Sequence, residues 1–420
     1  MSEPVIYATS WLINPDAPPV AGGAILVRDG VISATGTLAD LKRESSAAVI
    51  EYPGCAILPG FVNAHTHLEL TYFPAWRLRS NIDYNPRRFT DWIIQLIKIA
   101  RGLTPEDYPS SLREGMRMCL ESGTTAVGEI VSNPALAGLY AEAPLAGRLY
   151  FEVLGQDPVR FNDKLDGAVA AAGSGDSGSM TTGLSPHSAY TIGVEHLSAI
   201  SDAALARRLP LSIHISESKA ETDFIFDGSG PLAQDFYPFA GWERYLTHPL
   251  RCSTTELLDR HGLLTPDTLA VHCVHVNLAD ARTLKERGVS IALCPRSNDK
   301  LDVGRAPVAL FKKLGIPLAL GTDSLASNDS LSLWDEMRYA LEAFSNDLAA
   351  EDLFRMVTSG GASALGIAKT CGSLHAGQRA DFQVVENCGA TEKGLLERVV
   401  RSGRVQEVYS GGKRYAGSRA

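Results

Sequence analysis

The residues best suited to bind a metal ion are two histidines in the segment NAHTHLEL, His65 and His67. They come at the end of an apolar run, AILPGFV, that is typical of a buried β-strand. Side chains two positions apart on a strand face the same way, so both imidazoles can converge on one point. An isolated His-X-His pair is a weak signal, and its interpretation depends on the other strand-like runs.

Three more polar residues come at the ends of later apolar runs. His214 ends LSIH, His272 ends LAVH and Asp323 ends LALGTD. Imidazoles with one carboxylate are the ligand set of catalytic zinc or ferrous sites that keep a position open for water. The alternative is a set of unrelated buried polar residues, but five of them at strand ends are hard to explain by chance. The sequence therefore predicts one metal centre.

Eight strand-like runs alternate with segments of helical character and predict the elements that position these residues. The runs are AILPGFVNAH, TTAVGEI, RLYFEVLG, MTTGLSPH, LSIHISE, TLAVHCVH, VSIALCP and IPLALGTD. This alternation predicts an α/β protein with a closed (β/α)8 TIM barrel, in which the chemistry lies at the C-terminal strand ends. The chain contains no phosphate-binding P-loop and no dinucleotide-binding fingerprint.

Both ends of the chain have a β-rich texture with Gly-Asp turns, in residues 1–56 and 370–420. Neither stretch is long enough to bury a core alone. We therefore expect them to combine into one small β-sandwich domain, with the barrel in residues 57–369.

The composition narrows the classes of partner. The chain has 420 residues, 39 Lys+Arg against 48 Asp+Glu, a net charge of −9 and 45% hydrophobic residues. A deficit of positive charge argues against nucleic acid or an anionic membrane as partner. No signal peptide is recognisable, and no apolar run reaches the roughly 18 residues of a membrane span. Seven cysteines without CxxC pairs indicate reduced thiols, so we expect a cytoplasmic protein acting on a small molecule.

The motifs PGFVNAHTH, HISE, HCVH and LGTDSLASNDSLSLWDEMR, with the split β-domain, resemble the amidohydrolase superfamily. The similarity is greatest to its branch of amino-heterocycle hydrolases, including nucleoside deaminases and triazine hydrolases, and covers nearly the whole chain. The resemblance implies metal ligands, a proton shuttle, a residue that holds the attacking water and a substrate-binding histidine. The implied metal ligands are His65, His67, His214 and Asp323, and the implied proton shuttle is Glu217. The resemblance also implies that His272 holds the attacking water and that His187, in SPHSAYT, binds the substrate.

The positions of the lysines indicate how many metal ions the site is expected to hold. Two-metal members of the superfamily bridge their ions with a carbamylated lysine, and the only lysines between residues 68 and 213 are Lys98 and Lys164. Neither ends a strand, so we expect one divalent ion, zinc in the first place, with iron or manganese as alternatives. Glu129, which ends TTAVGEI, is the alternative bridging carboxylate, and Glu69 is expected near the metal without binding it.

The resemblance implies a hydrolytic deaminase acting on an amino-purine-type nucleoside or related heterocycle. Candidate substrates are aminodeoxyfutalosine, S-adenosylhomocysteine and methylthioadenosine, with ammonia released and Glu217 and Asp323 handling protons. The alternatives are a chlorohydrolase and a guanine- or cytosine-type deaminase. A metal-free structural protein fits poorly because every ligand position is filled. A homodimer is also implied.

Further expectations concern single residues. For Glu217 to turn back over the barrel mouth, the strand that carries His214 must end near Ser216. Asn298 is expected at the end of the seventh strand, either touching substrate or capping the next helix. Possible substrate contacts are Gln95, Arg148 and Arg160; the histidines expected to be structural or on the surface are His275, His196, His248, His261 and His375.

Overall fold

The chain forms an eight-stranded parallel barrel and a second sheet built from both ends of the sequence. The structure is a computed structural model that describes residues 3–142, 144–174, 180–246, 248–389 and 391–417. The predicted α/β fold, a TIM barrel with a second β-structure built from both termini, is confirmed. The terminal strands, expected as a β-sandwich, form a single eight-stranded sheet in the described part of the chain.

The strands are numbered in chain order. They are β1 (Val5–Leu12), β2 (Val20–Ala21), β3 (Gly23–Arg28), β4 (Val31–Thr37), β5 (Ala48–Pro59), β6 (Phe61–Thr66), β7 (Thr124–Val131), β8 (Ala146–Val153), β9 (Thr181–Pro186), β10 (Leu211–Ile215), β11 (Thr268–His272), β12 (Ser290–Leu293), β13 (Leu318–Leu320), β14 (Phe382–Glu386), β15 (Arg404–Ser410) and β16 (Lys413–Gly417).

The α-helices are numbered in the same way. They are α1 (Leu38–Glu44), α2 (Phe73–Arg79), α3 (Phe89–Arg101), α4 (Tyr108–Glu121), α5 (Pro158–Gly173), α6 (Leu197–Arg207), α7 (Lys219–Asp227), α8 (Tyr237–Ala240), α9 (Thr254–Arg260), α10 (Leu278–Glu286), α11 (Pro295–Lys300), α12 (Val308–Leu314), α13 (Leu333–Ala343), α14 (Ala350–Met356), α15 (Ser359–Ala364) and α16 (Leu395–Ser402).

Shorter helical segments lie between them. The 3-10 helices are Leu68–Leu70, Pro105–Asp107, Pro134–Glu142, Ala189–Thr191, Val194–His196 and Glu243–Tyr245, and one π-helix spans Leu232–Phe236. No helix among the described residues is long and apolar enough to cross a membrane.

The barrel comprises β6 to β13 in chain order, each strand parallel to its neighbour. A bridge between Thr66 and Asp323 joins the two outermost strands. The backbone amides of Thr322 and Asp323 both donate to the carbonyl oxygen of His65, each at 3.1 Å. The side chain of Asn63 adds a bond to the Thr322 hydroxyl at 2.7 Å. The seam of the barrel therefore lies at the His-X-His segment itself.

The terminal sheet has the order β16-β15-β14-β5-β1-β3-β4, and β2 pairs with β1. Successive residues of β1 belong to different buried clusters, Tyr7 to one and Ile6 and Ala8 to another, because the sheet buries both of its faces. Strand β5 ends at Pro59, and a single residue, Gly60, separates it from β6. The terminal sheet is thus connected directly to the strand that carries His65, and the domain boundaries at residues 56 and 370 stay a prediction.

Gly147, in β8, is a position where the barrel requires glycine. Its φ is +132°, and an added Cβ would lie 1.9 Å from the carbonyl oxygen of Val127 on β7. We expect Gly147→Ala to lower the free energy of unfolding by roughly 2–5 kcal/mol, through backbone strain and overpacking together. Urea unfolding followed by circular dichroism measures the change.

Gly167 provides the matched control. It is exposed in α5, and no atom lies within 4 Å of an added Cβ. Gly167→Ala should keep or raise stability, by up to about 1 kcal/mol, because alanine favours a helix more than glycine does. An equal loss of stability in both variants would contradict the role given to Gly147.

Candidate metal centre and active site

The five polar residues predicted at strand ends meet at the C-terminal mouth of the barrel. The Nε2 atoms of His65 and His67 lie 3.2 Å apart. Both point to Oδ1 of Asp323, at 3.8 Å and 3.6 Å. The rings of His214 and His272 lie 4.9 Å and 5.9 Å from the ring of His65, centroid to centroid. The barrel therefore brings four imidazoles and one carboxylate to a single point.

The donor atoms form overlapping groups in which all members lie within 4.8 Å of one another. The groups are His65, His214 and His272; His65, His67 and Asp323; and Glu217, His272 and Asp323. Two imidazoles that direct Nε2 at each other at 3.2 Å must share a proton or a cation. This convergence fits a bound metal ion.

The electrostatics of the cluster fit the same interpretation. Burial lowers the pKa of His65 well below its usual value, and the neighbouring imidazoles lower it further, so its ring is neutral. Burial opposes ionisation of Asp323, yet the imidazoles of His67 and His272 hold its pKa below the usual value. Neutral imidazoles and an ionised carboxylate are the forms that bind divalent transition metals.

Hydrogen bonds orient three side chains of the cluster, those of His214, His272 and Asp323. The carbonyl oxygen of His187 lies 2.7 Å from Nδ1 of His214, and because a carbonyl only accepts, Nδ1 donates and Nε2 keeps its lone pair. Nδ1 of His272 lies 2.9 Å from Oδ1 of Asn298. Oδ2 of Asp323 accepts from two serine hydroxyls, each at 2.7 Å, which belong to Ser297 and Ser327. Such partners fix the orientation of ligands.

Glu217 faces the same point. Strand β10 ends at Ile215, and Ser216 has a left-handed φ of 51°, which confirms the predicted turn. Oε1 of Glu217 then lies 3.7 Å from Nε2 of His272. Burial raises the pKa of Glu217 well above its usual value, and the charges of Asp323 and Glu221 raise it further. Burial therefore favours the protonated form of this carboxyl group, the form that can act as an acid.

A second glutamate, not singled out in the sequence, holds this turn. The carboxylate of Glu221 accepts the backbone N–H of Ser216 at 2.8 Å and that of Glu217 at 3.0 Å. It also accepts the hydroxyl of Thr254 at 2.9 Å. An acidic residue in the first turn of α7, just after HISES, was the available signal.

Three residues of this site have a left-handed backbone although they are not glycine. His272 has a φ of 69° and Asp323 a φ of 57°, in addition to Ser216. Each such conformation costs about 1–3 kcal/mol and persists only where the surroundings determine it. The surrounding structure thus stabilises strained backbone conformations that direct these side chains toward the cluster.

A cavity of about 430 Å³ lies over the cluster, a size suited to a small organic ligand. His187 lines it, with Nδ1 at 3.1 Å from the hydroxyls of Ser188 and Thr191. Glu69 lines it too. The apolar lining residues are Leu70, Trp92, Ile93, Leu96, Ile97, Ala100, Tyr108, Leu154, Tyr190, Phe236 and Trp242.

Glu129 is buried beneath the His-X-His segment. Its Oε1 accepts the backbone N–H of Leu68 at 2.9 Å and the hydroxyl of Tyr140 at 2.7 Å. It belongs to none of the ligand groups found among the described residues, which gives no support to the bridging alternative. Glu129 instead supports the backbone that follows His67.

Several predicted substrate contacts lie elsewhere. Gln95 is directed to Asp91, and Arg148 is near the start of β8 with its Nε on the Thr181 hydroxyl at 3.1 Å. Arg160 is exposed in the first turn of α5. None of these three residues lines the cavity over the metal cluster.

Two expectations about other side chains need correction. Strand β12 ends at Leu293, so Asn298 lies inside α11 and contacts His272 instead of ending the strand or capping the helix. His196 was expected on the surface but is buried, because its ring stacks on Phe161 with centroids 4.4 Å apart. The expectation of a structural role for His275 fits its bond to the carbonyl of Val303 at 2.8 Å.

Comparison with known proteins agrees with this geometry. The model of the amidohydrolase family matches residues 56–415. The chain is similar to a 5-methylthioadenosine/S-adenosylhomocysteine deaminase of Syntrophobacter fumaroxidans, 31% identical over 388 residues covering 89% of this chain and 82% of the relative. It is also similar to an aminodeoxyfutalosine deaminase of Deinococcus radiodurans, 30% identical over 358 residues covering 82% and 81%.

Among solved structures, an adenosine deaminase from Xanthomonas campestris with bound zinc has a TM-score of 0.80. It is 24% identical, and the match covers 98% of this chain and 92% of that one. At this identity the likeness shows a shared fold.

The cluster makes a direct prediction for metal binding. We expect the purified protein to bind a divalent ion, and His214→Asn to weaken binding by at least about 100-fold, since loss of a partner around a ligand alone costs roughly 10–100-fold. Mass spectrometry of metal content and zinc titration measure the change. The exposed His375 provides the matched control, and His375→Asn should bind metal normally. Unchanged binding in His214→Asn would show that the cluster holds no metal.

Proposed function

The chain belongs to the amidohydrolase family, and we propose that it is a metal-dependent deaminase that hydrolyses the exocyclic amino group of an amino-purine-type nucleoside. It is a hydrolase of carbon–nitrogen bonds. The observation that carries the proposal is the position of Glu217 beside the cluster of imidazoles and Asp323, on the floor of a cavity of nucleoside size. The named relatives are deaminases, which favours ammonia as the leaving group.

His65, His67, His214 and Asp323 would hold one divalent ion. When bound, such an ion makes hydroxide available at neutral pH by lowering the pKa of water to about 7. Zinc is the proposed metal, supported by the imidazole-rich ligand set and by the zinc bound in the similar adenosine deaminase structure. Iron and manganese also suit these ligands.

In the proposed reaction, water adds to the double bond between the ring carbon that bears the amino group and the adjacent ring nitrogen. A carbon–oxygen bond forms, the carbon–nitrogen bond breaks, and the amino group leaves as ammonia. Glu217 gives its proton to the adjacent ring nitrogen. Of the two protons of the water, Glu217 passes one to the departing amine and keeps the other, which returns Glu217 to its protonated form. Proton transfers of this kind contribute about 10²–10⁴-fold to rate.

The remaining residues orient the reactants. The Nε2 atom of His272 would hold the attacking water, while Oδ1 of Asp323 would accept its proton. His187 would bind the heterocycle, because the hydroxyls of Ser188 and Thr191 engage its Nδ1 and leave Nε2 for a ligand.

The cellular location, the oligomeric state and the domain boundaries are also proposals. We infer a cytoplasmic enzyme, supported by seven free and buried cysteines, and a homodimer as expected from the family resemblance. We further propose that residues 1–56 and 370–420 form one unit and residues 57–369 another.

Glu217→Gln tests the proton shuttle. Glutamine keeps the size of the side chain but cannot transfer the proton, so we expect kcat to fall by about 10²–10⁴-fold with metal content unchanged. Ammonia release from adenosine, 5′-deoxyadenosine, 5′-methylthioadenosine and aminodeoxyfutalosine measures activity. Glu286, exposed on α10, gives the matched control Glu286→Gln with full activity. Full activity in Glu217→Gln would rule out the shuttle.

Metal removal tests the requirement for the ion. Dialysis against a chelator should abolish ammonia release, and zinc, iron or manganese should restore it. Circular dichroism before and after dialysis separates loss of metal from loss of fold. Undiminished turnover in protein shown to be metal-free would contradict the proposal.

A further inference from the structure

Glu152 is a buried acidic residue that the proposed mechanism leaves unused. It lies near the C-terminal end of β8, is 7% exposed and lines the cavity over the metal cluster. Among the described residues, its carboxyl group has no hydrogen-bond or ion-pair partner. Burying a carboxylate without a partner is costly, so its position in the cavity wall points to a hydrogen-bond donor on a ligand.

A second carboxyl group lies in the same wall. Glu69, also buried, directs Oε1 to the backbone N–H groups of Ser132 and Asn133 at 3.1 Å and 3.3 Å. No hydrogen bond of Oε2 occurs among the described residues. Glu69 and Glu152 interact electrostatically, and Glu152 also acts on His187. The two acidic groups therefore lie beside the residue proposed to bind the heterocycle.

Away from the metal cluster, much of the cavity wall is apolar. One face of α3 contributes Trp92, Ile93 and Leu96, and Phe236 and Trp242 also line the cavity. No lysine or arginine occurs among the described lining residues. An anionic 5′ substituent would lose its hydration among these apolar residues and lie beside Glu152, with no lysine or arginine in the described lining to neutralise it.

We propose that the substrate is a nucleoside whose sugar hydroxyls donate to Glu152 and Glu69 and whose 5′ substituent is uncharged and apolar. This inference rests on the proposed deaminase function and narrows it. A hydrogen bond from a hydroxyl to a carboxylate is short and strong, so the bound sugar would supply Glu152 with the partner that it lacks among the described residues. Glu152 also disfavours nucleosides that carry a carboxylate.

The first experiment compares Glu152→Gln with wild type on 5′-deoxyadenosine and on its 2′,3′,5′-trideoxy analogue. Because hydrogen bonds to charged groups are worth roughly 10–100-fold, the variant should lose that factor in kcat/KM on 5′-deoxyadenosine. Wild type should lose a similar factor when the hydroxyls are removed. On the trideoxy analogue, Glu152→Gln and wild type should have similar kcat/KM, because the hydroxyls that would donate to Glu152 are absent from this substrate. Glu286→Gln is the control and should match wild type on both.

The second experiment uses a matched pair of substrates, adenosine 5′-carboxylate and its uncharged 5′-carboxamide. We expect wild type to favour the carboxamide by at least about 10-fold in kcat/KM, because a charged group must be desolvated beside Glu152. In Glu152→Gln the preference should shrink. Both measurements use the metal-loaded full chain, and the comparisons on wild type need no variant to fold.

The outcomes separate the two proposals. If metal-loaded wild type releases no ammonia from any of these adenine nucleosides, the deaminase function itself is wrong. If they are deaminated but Glu152→Gln loses equally on the ribosyl and trideoxy substrates, Glu152 does not bind the hydroxyls. Equal use of carboxylate and carboxamide would overturn the uncharged tail.

Discussion

The carbonyl oxygen of His65 accepts two backbone amides from the far end of the barrel, those of Thr322 and Asp323. These bonds join the first and last strands, and the same residues carry imidazole and carboxylate groups of the metal cluster. The same hydrogen bonds that close the barrel therefore also bring the proposed metal ligands of the first and last strands together. A displacement of the last strand by one residue would move Asp323 off the bridge with Thr66 and away from both histidines of the motif.

The cavity also illustrates how local surroundings assign different states to the same chemical group. Asp323 is held ionised by imidazoles and serine hydroxyls, while burial favours the protonated form of Glu217 a short distance away. Glu221 is occupied by two backbone amides and a threonine hydroxyl. Glu152 is left with its acceptor capacity directed into the cavity. The different roles proposed for these four carboxyl groups, as acid, metal ligand, support of a turn and hydrogen-bond acceptor for a ligand, therefore follow from the groups around each of them.

Much of this arrangement could be predicted from sequence because two simple regularities govern it. Side chains alternate on strands, and parallel barrel strands end on one face, so the convergence of His65, His67, His214 and Asp323 followed from their positions in apolar runs. The turn after His214 was also predictable, since Glu217 could reach the mouth only if the strand stopped first.

What escaped prediction depends on contacts between segments far apart in the chain. Asn298 lies in a helix because β12 is shorter than its apolar run, and its role comes only from meeting His272. His196 is buried because Phe161 happens to lie against it. Arg148 was placed on the correct strand but near the wrong end for the cavity. Composition and periodicity carry no information about such pairings.

The terminal sheet has a consequence for how the protein is made. Strand β5, which leads through Gly60 into the strand bearing His65, is flanked by β1 on one side and by β14 on the other. A nascent chain on the ribosome thus has an open sheet edge at β5 until β14 emerges, after every proposed metal ligand has been synthesised. The edge of β5 is therefore covered only late in synthesis, and until then it is a site at which another chain could pair and aggregate.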